Sequence, residues 1–184
     1  MKTAIIIFLL IGGILSSPYS IPVLPPDILE NYVTGVISQS IKFDNLKKVA
    51  FPQTLADRFG WDNLVQTVSR VYDSLSEEDR EKCGIYAGWY GPAGAIDLLG
   101  PQYGLPHAVS GHLTYHLWGS GETSWEVMIA VGTDYYQLKQ IFRDVERKAV
   151  IINKYTNNTN IPVYVCRHPK MPATAIWSYV KIYN

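Results

Sequence analysis

From residue 57 onward, segments with the apolar spacing of a helix alternate with short β-rich runs. Residues 57–74 carry apolar side chains at helical spacing and are predicted to form a helix with one apolar face. Residues 143–151 fit a strand and a helix about equally. Strands are predicted at residues 83–88, 107–110, 125–131 and 161–166, and further helices at residues 93–99, 135–141 and 174–183. The alternation predicts an α/β fold with a small, mostly parallel sheet flanked by helices.

The charge balance excludes one broad class of function. The chain has 184 residues, with 16 Lys and Arg against 16 Asp and Glu, so its formal net charge is zero. A protein that binds nucleic acid through bulk charge needs a basic surplus, and we therefore expect no nucleic-acid partner. Hydrophobic residues make up 47% of the chain and charged residues only 17%, against a usual charged share of about 25%. This composition predicts one sizeable core and apolar surface buried against something else, such as a membrane.

Residues 4–15 are apolar, and no charged residue lies between Lys2 and Asp27. As a helix they would rise only about 18 Å, whereas the hydrocarbon core of a bilayer is about 30 Å thick. Three interpretations remain open from the residues alone: a signal peptide, which the length favours, a truncated transmembrane helix, and a buried core segment. Both membrane interpretations, with Lys2 inside, place the rest of the chain outside the cytoplasm.

Prolines between residues 18 and 26 follow the apolar run, and the globular pattern begins near Phe51. We therefore expect three parts. They are residues 1–17 as a partial transmembrane helix or signal anchor, residues 18–50 as a proline-rich linker with an ambiguous amphipathic segment, and residues 51–184 as an α/β extracytoplasmic domain.

A glycine-rich turn, residues 88–97, leaves a predicted strand and opens a predicted helix. Such a turn can present backbone N–H groups to an anion, and its glycines let a ligand approach closely. Its G-x-x-G-x-x-G spacing, formed by Gly88, Gly91 and Gly94, differs from that of a dinucleotide-binding fingerprint. A tight strand-to-helix turn also explains the glycines and is the favoured interpretation.

A second cluster, residues 110–119, is dense in aromatic and hydrogen-bonding side chains. It should lie at the C-terminal edge of a strand, where ligands collect in open α/β sheets. The rings of Tyr115 and Trp118 beside His112 would suit a carbohydrate, whose apolar face stacks on aromatic rings. A packed aromatic core also explains the cluster and is the favoured interpretation from the residues alone. His112 and His116 have the spacing of two metal ligands, but no further ligand pattern completes a zinc site.

No arrangement of a nucleophile and a base stands out in the sequence, so no catalytic residue is predicted, and no cofactor or metal is implied. Cys83 and Cys166 fall on predicted strands, where buried free thiols are favoured over a disulfide. From the residues alone, the chain is an exported or membrane-tethered α/β domain whose function is open.

Five motifs in order along the chain carry a family resemblance. They are residues 21–26 (IPVLPP), 51–61 (FPQTLADRFGW), 86–97 (YAGWYGPAGAID), 103–106 (YGLP) and 110–119 (SGHLTYHLWG). Together they resemble the C-terminal extracytoplasmic domain of prokaryotic glycosyltransferase family 39 proteins. These are membrane enzymes related to the dolichyl-phosphate-mannose protein mannosyltransferases and to the aminoarabinose transferase. The resemblance covers residues 4–183, essentially the whole chain.

The resemblance implies both a function and a location. Family members transfer a sugar from a polyprenyl-phosphate carrier to an acceptor on the outer face of a membrane. They use a catalytic aspartate in a many-helix membrane part that is not in this sequence. The chain would then be the extracytoplasmic domain of such a transferase, inactive by itself and accessory in substrate or acceptor recognition. Residues 4–15 would be the outer half of the last transmembrane helix, with Met1 as an internal or artificial start.

The expected partners follow from the same resemblance. They are the lipid bilayer, the missing transmembrane catalytic portion and, indirectly, the polyprenyl-phosphate sugar and its acceptor. A rival hypothesis is a stand-alone membrane-tethered or secreted module that binds a carbohydrate or another ligand.

The chain departs from the family pattern at Trp89, Pro92 and Leu113, where a typical member has Asn, Glu and Asn. The side chains present here cannot make the hydrogen bonds of the amides and the carboxylate that they replace. The residues that keep the pattern are Tyr90, Gly91, Gly94, Asp97, Ser110, Gly111, His112 and Trp118. The predicted substrate-binding residues are Tyr90, Gly91, Gly94, Asp97, Ser110, Gly111, His112, Tyr115 and Trp118.

Overall fold

The computed structural model describes residues 2–21, 24–32, 56–153 and 160–183. The chain divides into two compact units. One comprises residues 1–59 with 155–157, and the other comprises residues 60–154 with 158–184. Much of the predicted amphipathic segment and the start of the FPQTLADRFGW motif fall in residues 33–55, which lie outside the described residues.

The first unit contains helix α1 (Lys2–Ser20) and helix α2 (Pro26–Tyr32). Helix α1 includes Pro18, so it continues beyond residue 17, where the partial membrane helix was expected to end. Large apolar side chains are exposed along it: Ile5, Ile6, Ile7, Phe8, Leu9, Leu10, Ile11, Ile14 and Leu15. Among the described residues, no helix combines the length and the apolar character needed to cross a membrane.

The second unit is built on a sheet whose five described strands lie in the order β2-β1-β3-β5-β4. They are β1 (Cys83–Ala87), β2 (Ala108–Val109), β3 (Val127–Val131), β4 (Phe142–Ile152) and β5 (Asn160–Pro169). Strand β1 pairs in parallel with β2 and β3, whereas β5 pairs antiparallel with both β3 and β4. The sheet is therefore mixed, and the prediction of a mostly parallel sheet is wrong.

The length of the connections explains the mixed pairing. Strands β4 and β5 are separated by residues 153–159 only, and so short a link joins neighbouring strands in antiparallel order. Parallel neighbours need a longer crossover, which helix α5 (Tyr90–Leu99) and a 3₁₀ helix (Gly100–Tyr103) provide between β1 and β2. The α/β class with helices flanking the sheet is confirmed.

Helices cover both faces of the sheet. Helix α3 (Trp61–Asp73) and α5 bury their apolar sides on the first face, against Ile85 and Ile129. On the second face, helices α7 (Tyr135–Ile141) and α8 (Ala173–Tyr179) pack against Met128. Because β3 is buried on both faces, all five of its residues are apolar.

Several smaller details complete the comparison with the predicted elements. Residues 143–151 belong to strand β4, which pairs along almost its whole length with β5. Helix α5 begins at Tyr90, before the predicted residue 93. Trp125 lies outside β3 and has a φ of 63°, so the chain turns sharply before the strand begins. The short helix α4 (Glu77–Glu81) begins where the Ser76 side chain accepts a hydrogen bond from the Asp79 N–H.

The two cysteines are free thiols, as predicted. Strand β3 lies between the strands that carry them, and Cys83 packs with the first-face core whereas Cys166 belongs to the second-face core. Side chains on opposite faces of a sheet cannot meet in a disulfide. Burial raises the pKa of each thiol to about 12, so both are protonated at neutral pH.

Candidate functional site

The carboxyl ends of β1, β2 and β3 lie at one edge of the sheet because these strands are parallel. After β1 the chain turns into α5, on the first face. After β2 it passes through the short helix α6 (Thr114–Leu117) to the second face, where Trp125 packs. In open α/β sheets, ligands bind where the connections of neighbouring parallel strands depart to opposite faces. The two predicted clusters, residues 88–97 and 110–119, border this position.

The glycines of the first cluster lie against atoms of the chain itself. A Cβ on Gly88 would come within 2.5 Å of the Gly132 carbonyl oxygen. A Cβ on Gly91 would come within 3.1 Å of the Trp61 ring, and one on Gly94 within 3.6 Å of the Tyr115 hydroxyl. These surroundings agree with a tight strand-to-helix turn packed by its neighbours.

Asp97 is the hydrogen-bonding centre of the site. Its Oδ1 accepts a hydrogen bond from the Ala108 N–H at 2.8 Å, and its Oδ2 accepts one from the Tyr115 hydroxyl at 3.0 Å. The Nδ1 atom of His107 lies 3.4 Å from Oδ1. Asp97 therefore joins helix α5 to the start of β2 and to helix α6.

The state of Tyr115 suits this role. Burial and the hydrogen bond to Asp97 raise the pKa of Tyr115 to about 12. The phenol therefore stays protonated and donates to the carboxylate throughout the physiological pH range. An Asp97 oxygen that already accepts a fixed donor is held in one orientation, and its remaining lone pairs are available to a further donor.

Two pairs of aromatic rings lie in the two clusters. The rings of Tyr115 and Trp118 are 4.6 Å apart between centroids, and those of Tyr90 and His112 are 5.2 Å apart. Trp118 is 67% exposed and Tyr90 is 54% exposed. The structure therefore joins residues of the two clusters in two places, Tyr90 with His112 and Asp97 with Tyr115 and Trp118. One aromatic ring in each place is open to solvent.

Ser110 and Gly111 fix the backbone at the start of the second cluster. Ser110 is fully buried, and its hydroxyl accepts a hydrogen bond from the His112 N–H at 3.3 Å. A Cβ on Gly111 would lie 1.7 Å from the Val180 carbonyl oxygen, so only glycine fits there. These two residues shape the backbone of the site.

The C-terminal segment supports the same cluster, and this contribution was missed from the sequence. The Leu113 N–H donates to the Ile182 carbonyl at 2.9 Å, and the Ile182 N–H donates to the Gly111 carbonyl at 2.8 Å. The His116 ring stacks on Trp177 with centroids 4.8 Å apart. The apolar spacing of residues 174–183 indicated only a closing helix, so nothing in the sequence pointed to this pairing.

The positions that depart from the family pattern have clear structural surroundings. The Trp89 ring packs over Gly132, whose φ of 67° and lack of a side chain allow the contact. Pro92 is buried in helix α5. Leu113 has a φ of 51° and a ψ of −128°, a conformation that costs energy for a leucine and that glycine adopts more easily.

Two further polar side chains flank the parallel strands, His107 at the amino end of β2 and Thr133 at the carboxyl end of β3. His107 precedes β2 and exposes its ring beside Asp97. Thr133 follows β3; it is buried, and its hydroxyl has no hydrogen-bond partner among the described residues. The sequence offered only a weak signal for these residues: His107 is the first residue of the predicted strand 107–110, and Thr133 follows the predicted strand 125–131.

The two histidines at metal-ligand spacing contact different parts of the fold. His112 lies against Tyr90, whereas His116 lies against Trp177. The part of the chain that the structure describes contains no group of three or more His, Cys, Asp or Glu side chains placed to hold a metal ion. The exposed Trp118 ring near the fixed Asp97 carboxylate is suited to binding a ligand that has both apolar and polar groups.

Replacing Asp97 with alanine should lower the free energy of unfolding by about 2 kcal/mol, because the Ala108 N–H and the half-buried Tyr115 hydroxyl would lose their acceptor. Asp97→Asn keeps one carbonyl oxygen and should cost less. Urea denaturation measures both. Glu78→Ala, which removes an exposed ion pair with Lys82, is the matched control and should cost less than about 0.5 kcal/mol. Equal losses in Asp97→Ala and the control would contradict the central position of Asp97.

No protein-family model, curated protein or solved structure matches this chain.

Proposed function

We propose that the chain is the extracytoplasmic domain of a membrane glycosyltransferase resembling family 39, and that it binds a sugar-bearing substrate at the site around Asp97. The transfer reaction would take place in a membrane part outside this sequence. Helix α1 would belong to the membrane anchor, because a helix that exposes apolar side chains on all sides is suited to lipid. The domain would be accessory to the reaction and inactive by itself.

One observation carries the proposal of sugar binding: the exposed Trp118 ring lies against Tyr115, and the Tyr115 hydroxyl is bonded to the Asp97 carboxylate. The apolar face of a sugar ring packs on an aromatic ring, and its hydroxyl groups need donors and acceptors at the ring edge. Asp97 is an acceptor, and His107 can be a donor or an acceptor. The site therefore offers both kinds of contact within one small surface.

Binding of lipid-linked sugars tests this part of the proposal. Polyprenyl phosphate carrying mannose or aminoarabinose, dispersed in detergent, would be titrated into the full chain, with unglycosylated polyprenyl phosphate as the reference. We expect Trp118→Ala to weaken binding of the preferred sugar lipid about tenfold, the effect of losing about 1.4 kcal/mol of stacking. Tyr136→Ala is the matched control, because Tyr136 is an exposed aromatic residue on α7, at the second face. Equal affinity in both variants, or no preference for the glycosylated lipids, would refute sugar recognition.

The transferase assignment needs a separate test. The DNA upstream of the Met1 codon would be translated in frame, where we expect many apolar helices and an acidic residue in the first outer loop. With that enzyme in hand, Tyr90→Ala combined with His112→Ala should reduce sugar transfer while the domain stays folded. A stop codon directly upstream together with a ribosome-binding site would favour the stand-alone binding module. Unchanged transfer by the folded double variant would make these residues purely structural.

A further inference from the structure

The site lies in a part of the sequence that has a single charged residue. From Cys83 to Gly121, the only Asp, Glu, Lys or Arg residue is Asp97. This stretch contains β1, α5, β2 and α6, and the single carboxylate in it accepts hydrogen bonds from the chain itself. Charged residues resume immediately on both sides, at Lys82 and Glu122.

The same stretch exposes large apolar side chains. Leu98 is 80% exposed and Leu117 is 72% exposed, in addition to Trp118 and Tyr90, and Leu113 is partly exposed. Two contacts hold their segments together: Tyr90 against His112, and Tyr115 bonded to Asp97. We call the exposed side chains of Tyr90, Leu98, Leu113, Leu117 and Trp118 the uncharged surface.

Two other exposed apolar side chains of the second unit lie on elements that also carry charged residues. Tyr136 lies on α7, which also carries Lys139. Ile152 lies on β4, which carries exposed Glu146 and Lys148. Apolar exposure over a long uncharged stretch thus distinguishes the uncharged surface from these two elements.

We propose that the uncharged surface sits in the boundary between the lipid headgroups and the hydrocarbon of a bilayer, with Leu98 and Leu117 inserted and Trp118 at the level of the headgroups. Leucine beside Trp and Tyr is the composition that favours this boundary, because the aromatic residues have an apolar body and a polar edge. Charged residues would oppose insertion, and this stretch has one, already held by internal donors.

A second observation favours lipid over a protein partner. Helix α1 of the same chain exposes nine large apolar side chains, and such a helix needs an apolar surrounding. An interface with another protein would ordinarily have a polar rim and enriched arginine, whereas Cys83–Gly121 contains no arginine. The inference does not depend on the proposed sugar specificity, because lipid contact requires only the apolar side chains.

Site-directed spin labelling of the full chain in phosphatidylcholine vesicles tests the proposal. Single cysteines would be introduced by Leu98→Cys and Leu117→Cys, with Tyr136→Cys as the matched control at an exposed position among charges. The native thiols are largely buried and their pKa values are raised to about 12, so at neutral pH the reagent labels the introduced cysteine. Collision of the label with oxygen, which concentrates in lipid, would be compared with collision with a water-soluble nickel chelate.

We expect the ratio of oxygen to nickel collisions at positions 98 and 117 to be several-fold higher than at position 136. Equal ratios at all three positions would overturn the proposal. So would protection of positions 98 and 117 that appears without lipid and grows with protein concentration, which would indicate a second copy. As an independent readout, lipids brominated on the acyl chain should quench wild-type tryptophan fluorescence more than that of Trp118→Phe. No sugar is present in these measurements, so a failure of sugar binding cannot imitate a failure of membrane contact.

Discussion

Replacing Gly111 with alanine should cost about 4 kcal/mol of unfolding free energy or prevent the second unit from folding, a loss at the upper end for single substitutions. The added Cβ would lie 1.7 Å from the Val180 carbonyl oxygen, which is a backbone atom and cannot rotate away as a side chain can. The hydrogen bonds of Ile182 hold the two segments at this distance. To admit the methyl group, the site cluster and the C-terminal segment must separate.

Urea denaturation followed by circular dichroism measures this loss, with Gly94→Ala as the matched control. A Cβ on Gly94 would meet the Tyr115 hydroxyl at 3.6 Å, an ordinary contact. Alanine in a helix is also favoured over glycine by about 0.5–1 kcal/mol, so Gly94→Ala should be neutral or stabilising. A Gly111→Ala protein as stable as the wild type would show that the C-terminal segment does not hold the site.

The second large effect is a loss of stability in alkali. Burial raises the pKa of the Cys166 thiol from 9.0 to about 12 in the folded protein. A group whose folded pKa is raised contributes its full stability below the unfolded pKa, so Cys166 contributes fully below about pH 9 and loses that contribution as the pH rises towards 12. The loss should be about 1.4 kcal/mol per pH unit across this window. Cys83, with the same shift, adds a loss in the same direction.

Unfolding free energies measured from pH 8 to pH 11.5 test this prediction, with Cys166→Ala as the comparison. The alanine variant should be less stable at pH 8, because it leaves a cavity next to Met128. Its stability should nevertheless fall less steeply above pH 9, because it has no thiol to ionise at this position. Identical slopes for the two proteins would mean that ionisation of the Cys166 thiol does not govern the alkaline transition.

Local sequence patterns correctly predicted most elements of the second unit. Continuous apolar residues indicated β3, helical spacing indicated α3 and α7, and glycines indicated the turn after β1. These properties are set by residues close together in the chain. Residues 143–151 could not be assigned from local patterns, because this edge strand carries charged residues along its length. Its pairing with β5, a contact made by the folded sheet, makes it a strand.

The site was predictable to a similar degree. Tyr90, Asp97, His112, Tyr115 and Trp118 were singled out from two separate clusters. The structure places Tyr90 against His112, and Asp97 with Tyr115 and Trp118. The sequence could not indicate that Asp97 bonds both to Tyr115 and to the backbone of Ala108, or that Ile182 supports the site. These partners are far apart in the chain, and no local spacing encodes such a contact.

The amino-acid sequence by itself therefore determined the α/β class, the neutral charge and the aromatic clusters, because each depends on composition or on neighbouring residues. Only the tertiary structure decided that the sheet is mixed, that other atoms of the chain occupy the space beside the glycines, and that the C-terminal segment is hydrogen-bonded to the site. The physical reason is that strand direction depends on the length of the connections and on which apolar faces must be buried. Long-range hydrogen bonds form only after the whole unit has folded in this way.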